Sequence, residues 1–198
     1  MERIYRKLDA YISAPKEALP ALTDAIWEEF GATMAPLVLD MSGFSRLTKA
    51  HGIVHYLAMV RRMHLASEPL VEAHRGHVVK FEADNLFAVF YSADDALACA
   101  LAINDRLAEM NAETEDSRDI AVCIGIDWGR LLLVPWKDFF GDTVNIACKL
   151  GEDLAGPGEI LISRTAAETL TRTEGLRLEP RDLAISDLRI AAFQVSRA

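Results

Sequence analysis

No stretch of this 198-residue chain approaches the run of about 20 apolar residues that a helix needs to cross a bilayer. Its first residues, MERIYRKLDAYISAPKEALPAL, carry basic side chains but lack the apolar central segment of a secretory signal. Cysteine is scarce. Cys99, Cys123 and Cys148 are an odd number without metal-ligand spacing, which argues against a disulfide framework or a zinc site and fits a reducing, cytoplasmic setting. Cations are the other shortage: 21 Lys and Arg face 30 Asp and Glu, for a formal charge of −9. Nucleic acid and anionic membranes both require a basic face, so neither is expected as a partner. A polyanionic substrate would need local cations or backbone amides to approach at all. What remains is an ordinary globular composition, 51% hydrophobic and 26% charged, without repeats or low-complexity tracts. The length suits one domain, or one domain plus a small appendage, with chain enough to bury a sizeable core.

Residues 1–33 differ from the rest. Pro15 and Pro20 punctuate them, and ALPALTDAIWEEF carries apolar residues at helical spacing. This segment reads as a helical N-terminal extension, and residues 34–198 read as the main domain. There strands and helices alternate. Pro36 to Leu39 is a short buried strand, and Leu47 to His74 a long helical region with Leu57, Val60, Leu65, Leu70 and Val71 as its apolar stripe. His77 to Phe81 and Leu86 to Tyr91 form a hairpin, and Asp94 to Met110 an amphipathic helix. Ile120 to Asp127 and Leu131 to Val134 are strands, Thr143 to Leu154 a helix, Glu159 to Ser163 a strand, and the tail from Leu176 holds one or two more strands. The fold class is α+β, an α/β sandwich with helices packed on a mixed sheet.

Three segments carry chemistry. In LVLDMSGFSRLT, Asp40 ends a strand and a glycine turn leads into a helix, which offers a metal ligand followed by amides suited to phosphate oxygens. A carboxylate capping a turn accounts for the same residues. In VVKFEADNLFAVF, Lys80 lies within an apolar strand and Asp84 at a hairpin tip, although EADN is also simply a good turn. In DFFGDTVNIACKL, Asp138 precedes a Phe-Gly-Asp-Thr turn, and Asn145 and Lys149 lie one helical turn apart on one face. Asp142-Thr143 could equally be an ordinary helix cap.

In this order the three segments resemble the catalytic domain of class III nucleotidyl cyclases, the adenylate and guanylate cyclase family, over roughly Ala35 to Ser163. The corresponding stretches here are DMSGFS, KFEAD and DFFGDTVNIACK, with IAVCIGIDWG resembling the family's intervening strand. The resemblance implies a ferredoxin-like βαββαβ palm with additional C-terminal strands. It implies Asp40 and Asp84 as ligands of two divalent cations, Mg2+ or Mn2+, with Ca2+ as an occupant of a non-productive complex. The amides of Ser42, Gly43, Phe44 and Ser45 would cradle phosphates. Lys80 and Asp138 would read adenine, Asn145 would orient the ribose, and Lys149 would face the transferring phosphate. The implied partners are ATP and a second copy of the chain in a head-to-tail homodimer.

Two departures bear on turnover. Lys149 stands where the family usually has arginine, and lysine keeps the charge without the planar two-pronged donor. The family's terminal phosphate-gripping L-K-G turn has only Asp187-Leu188-Arg189 as its nearest match, with Arg189 the possible substitute. The expectation is therefore an adenylate cyclase of weak activity, and the competing expectation a catalytically inactive ATP-binding pseudo-cyclase with a signalling role.

Overall fold

The computed structural model describes residues 1–185 and 188–198, and within them every side chain except those of residues 45, 46, 185 and 188. Helices α1 (Glu2–Ser13) and α2 (Leu19–Phe30) form an antiparallel pair. Glu29 of α2 receives both Arg3 and Lys7 of α1, at 2.6 and 3.0 Å. Pro20 sits in the first turn of α2, where a missing N–H costs nothing. Ile4, Ile26 and Phe30 bury themselves with Val134 of the main domain.

Strand β1 (Gly31–Met41) begins within the segment read as the helical extension and is longer than the four residues expected of it. Its run from Met34 to Leu39 is continuously apolar because it is covered on both faces. A turn leads to α3 (Phe44–His51) and α4 (Ile53–Ala73). The single helical region expected here is divided by Gly52, whose φ of +84° ends the first helix. The apolar stripe also differs from expectation. Tyr56, Met59, Val60, Met63 and Val71 are buried, whereas Leu57 and Leu65 are 57% and 54% exposed.

The hairpin β2 (Gly76–Glu82) and β3 (Asn85–Phe90) follows, then α5 (Ala93–Ala112), whose N-cap Ser92 accepts the Asp95 amide at 3.1 Å. After it come β4 (Val122–Ile126), β5 (Gly129–Val134) and the short β6 (Asp138–Phe140), a strand the sequence pattern did not assign ahead of the Phe-Gly-Asp-Thr turn. Helix α6 (Asp142–Cys148) runs into a π-helical stretch, Lys149–Leu154. The chain ends with β7 (Ile160–Ser163), α7 (Arg164–Ala167), β8 (Leu176–Ile185) and β9 (Leu188–Arg197).

The sheet order is β2-β3-β1-β4-β7-β9-β8, with β5 paired to the first half of β1 and β6 paired to β5. Its first four strands are mutually antiparallel and carry helices in βαββαβ order, as expected for the palm. Leu37, Leu39 and Met41 of β1 point into the main core with α4 and α5. Val38 points to the opposite face, where Val79, Phe87, Leu131, Phe139 and Val144 cluster. By the same alternation Asp40 belongs to that opposite face, at the strand's end.

Candidate active site

Asp40 stands opposite Asn85 of β3 and Cys123 of β4 in the sheet register. The β2–β3 hairpin is tight, with Ala83 at φ +51°, and this brings Asp84 to the end of β1, where its carbonyl accepts the Met41 amide at 3.3 Å. The two carboxylates therefore converge from different elements. Burial, then the charges of Asp84 and Glu152, push the Asp40 carboxyl up to about 7. Tyr56 of α4 donates its hydroxyl to Asp84 Oδ2 at 2.5 Å, and burial and that bond push its phenol up. Phe44 packs edge-on against the Tyr56 ring, with centroids 4.8 Å apart.

Gly43, with φ +95°, lets the chain turn from the end of β1 directly into α3, whose first amides have no side-chain cap. One expectation needs correction. The Ser42 amide is not free for phosphate, because it donates to the Ala121 carbonyl at 2.9 Å. Gly43, Phe44 and Ser45 remain the backbone donors at this helix start.

Lys80 reaches the opposite face of the sheet only because of a β-bulge. The register shifts between Val78 and Lys80, so Lys80 pairs with Phe87 and shares the face of Val79 instead of that of Val78. There its ammonium lies 3.2 Å from Asp138 on β6 and 2.8 Å from Glu82, over the Phe87 ring at 5.0 Å. Burial pulls the Lys80 ammonium down, but the bonds to Glu82 and Asp138 outweigh it and hold it above its ordinary value. Asp138 is fixed by accepting the Phe139 amide at 2.9 Å. The result is a cation and a carboxylate side by side, a donor and an acceptor on one small surface.

Asn145 is exposed on α6, and Lys149 begins the π-helical stretch one turn later, its ammonium 3.9 Å from Asp153. Arg189 is exposed at the β8–β9 turn, paired with Ala184, and β9 is three places from β1 in the sheet order. Asp187 lies outside the described residues. Sequence reasoning missed Tyr56, Glu82 and Glu152. Tyr56 lies outside the apolar stripe read for its helix and Glu82 reads as part of a turn; only the sheet and helix packing bring them to the site. Trp136, an aromatic whose size alone suggests a place in or beside the core, is 67% exposed.

The chain has known relatives. Residues 32–186 match the family described as the adenylate and guanylate cyclase catalytic domain, and the chain belongs to that family. A putative adenylate cyclase 3 of Rhizobium meliloti is 35% identical over 129 residues, covering 65% of this chain and 22% of that protein. An adenylate cyclase of Streptomyces coelicolor is 34% identical over 134 residues, covering 68% of this chain and 33% of its own. The chain thus spans between a fifth and a third of the length of these relatives. The crystal structure of an adenylate/guanylate cyclase/hydrolase from Silicibacter pomeroyi superposes with a TM-score of 0.68 at 27% identity, covering 83% of this chain and 96% of that one. No helix among the described residues is long and apolar enough to cross a membrane.

Proposed function

We propose that this domain is an adenylate cyclase that converts ATP to 3′,5′-cyclic AMP and pyrophosphate as a head-to-tail homodimer in the cytoplasm, with turnover limited by Lys149. The observation that carries the reading is the contact between Lys80 and Asp138. Adenine offers an acceptor at N1 beside a donor at its exocyclic amine; an ammonium and a carboxylate held together match that edge, and the guanine edge reverses the pattern. The bulge in β2 and the Phe139 amide hold the two side chains in place before the base arrives.

The residues at the end of β1 suit divalent cations. Burial first, and then the charges of Asp84 and Glu152, raise the Asp40 carboxyl, and a cation offsets both. Among the described residues no group of three His, Cys, Asp or Glu side chains could by itself hold a metal ion. Asp40 and Asp84 would hold Mg2+ or Mn2+, which supply Lewis acidity at the ribose 3′-oxygen and charge neutralisation at the triphosphate. Tyr56 keeps the Asp84 carboxylate oriented. Amides of Gly43, Phe44 and Ser45 meet phosphate oxygens. In the dimer Lys80, Asp138, Asn145 and Lys149 of one subunit complete the site built on Asp40 and Asp84 of the other. Asn145 would orient the ribose so that the 3′-hydroxyl, giving its proton to solvent, bonds the α-phosphorus as the bond to pyrophosphate breaks, and Lys149 would place its charge on the transferring phosphoryl group.

A second reading, an ATP-binding pseudo-cyclase, is favoured by Lys149 itself, a point charge facing Asp153 where a bidentate donor is customary. Incubating the purified chain with ATP and Mn2+ or Mg2+ separates the two. Cyclic AMP above the level of an Asp40→Ala control supports the enzyme, and ATP binding without product supports the pseudo-enzyme.

A further inference from the structure

Lys80 and Glu82 share one face of β2, since side chains two residues apart in a strand point the same way. Phe81 between them points to the other face and stacks on His64 of α4, with ring centroids 4.1 Å apart. Glu82 is the last residue of β2, opposite Asn85, and its Oε2 lies 2.8 Å from the Lys80 ammonium. Asp138 of β6 brings Oδ1 to 3.2 Å from the same ammonium, which lies 5.0 Å from the centre of the Phe87 ring. That Oδ1 also accepts the Phe139 amide, at 2.9 Å. Among the described residues no protein group is bonded to Oδ2 of Asp138.

An ammonium carries three N–H donors on a flexible four-carbon stem, so a single anchor leaves it free to swivel. Asp138 alone is one anchor. With Glu82 as a second, two donors face carboxylates and the direction of the third is set. We propose that Glu82 is a positioning residue for base recognition: it holds Lys80 so that one N–H stands beside Oδ2 of Asp138, the donor and the acceptor that meet adenine. Glu82 touches no part of the nucleotide and acts only through Lys80. This rests on the reading of Lys80 and Asp138 as the adenine contacts. The Glu82 side chain is 66% exposed, where an ion pair adds little to stability, so its effect is on direction. Nothing in the EADN turn marks Glu82 for this role; the meeting of β2 with β6 creates it.

The test is calorimetric titration of the purified chain, in Mn2+, with the α,β-methylene analogues of ATP and GTP, which cannot be cyclised. Glu82→Ala and Glu82→Gln remove the same charge, but only alanine removes the oxygen that faces Lys80. Glu82→Ala should bind the ATP analogue about threefold more weakly, the scale of an exposed ion pair, and the GTP analogue no more weakly than the unmodified chain does. Glu82→Gln should keep most of the preference for adenine. Loss of charge alone predicts the opposite sign, tighter binding of both polyanionic analogues in both variants. That result, an unchanged preference in Glu82→Ala, or an equal loss of preference in Glu82→Gln overturns the proposal. Lys80→Met separates it from the reading on which it rests. If the unmodified chain has no preference for the ATP analogue, or Lys80→Met keeps it, the assignment of Lys80 to the base fails. If Lys80→Met lowers the preference by about tenfold, the usual worth of a base contact, while Glu82→Ala does not lower it, only the role of Glu82 fails.

Discussion

Replacing Asp40 by asparagine should make the cation-free protein more stable at pH 8. Burial and the charges of Asp84 and Glu152 raise this carboxyl from 3.8 to about 7. A carboxyl with a raised folded value holds a proton that the unfolded chain has already released, so stability falls as pH rises from about 4 and reaches its floor above about 7. Three units at about 1.4 kcal/mol each set a ceiling of about 4 kcal/mol. Asp40 keeps some solvent contact, and screening reduces the penalty to about 1–2 kcal/mol. In a domain of this size each kcal/mol moves Tm by about 2–4 °C, so asparagine should raise Tm by about 2–8 °C at pH 8. At pH 5 less than half of the penalty has developed, and the advantage should shrink accordingly. Thermal unfolding followed by circular dichroism, with chelator and then with Mn2+, reads both arms: Mn2+ should close the gap by stabilising the unmodified protein alone. An asparagine variant that is less stable at pH 8, or a gap that is the same at pH 5 and pH 8, would refute the reasoning.

Three further outcomes are expected. Lys149→Arg should raise kcat by about tenfold or more with little change in KM, because it restores a bidentate donor at the transferring phosphate; a fall in kcat in a cyclic AMP assay counts against the placement of Lys149. Asp138→Ala should lower the preference for ATP over GTP by about tenfold, the usual worth of one base contact, measured as the ratio of kcat/KM values. Gly151→Ala should destabilise the protein by about 1–3 kcal/mol, since its Cβ has backbone 2.7 and 2.9 Å away that cannot yield cheaply. A Tm within 1 °C of the unmodified protein, on the order of measurement error, would show that the π-helical stretch is free to lift.

The signals in the sequence were of two kinds. Local ones translated well. Apolar runs such as PLVL and LFAVFY became strands, the amphipathic stretch Asp94 to Met110 became a helix, and EADN became the hairpin tip that carries Asp84. Periodicity was less reliable in α4, where Leu57 and Leu65 suit the stripe as well as the residues that are buried, and only the position of the sheet selects Tyr56, Met59 and Met63. Asp138 was legible as a candidate through its motif, but its strand was not, because three residues are too few to show alternation and β6 exists only by pairing with β5.

By itself, then, the sequence determined the α+β class, the family and the residue types on which nucleotide chemistry depends, because each rests on local pattern and on the order of short motifs. The tertiary structure alone decided which of them meet. An odd residue in β2 turns Lys80 toward Asp138, a hydroxyl from α4 reaches Asp84, the Ala121 carbonyl takes the Ser42 amide, and two glycines far apart in the chain let the π-helical stretch press against β1 and β4. These contacts depend on register and on the close approach of backbones from separate elements, quantities that no single segment encodes.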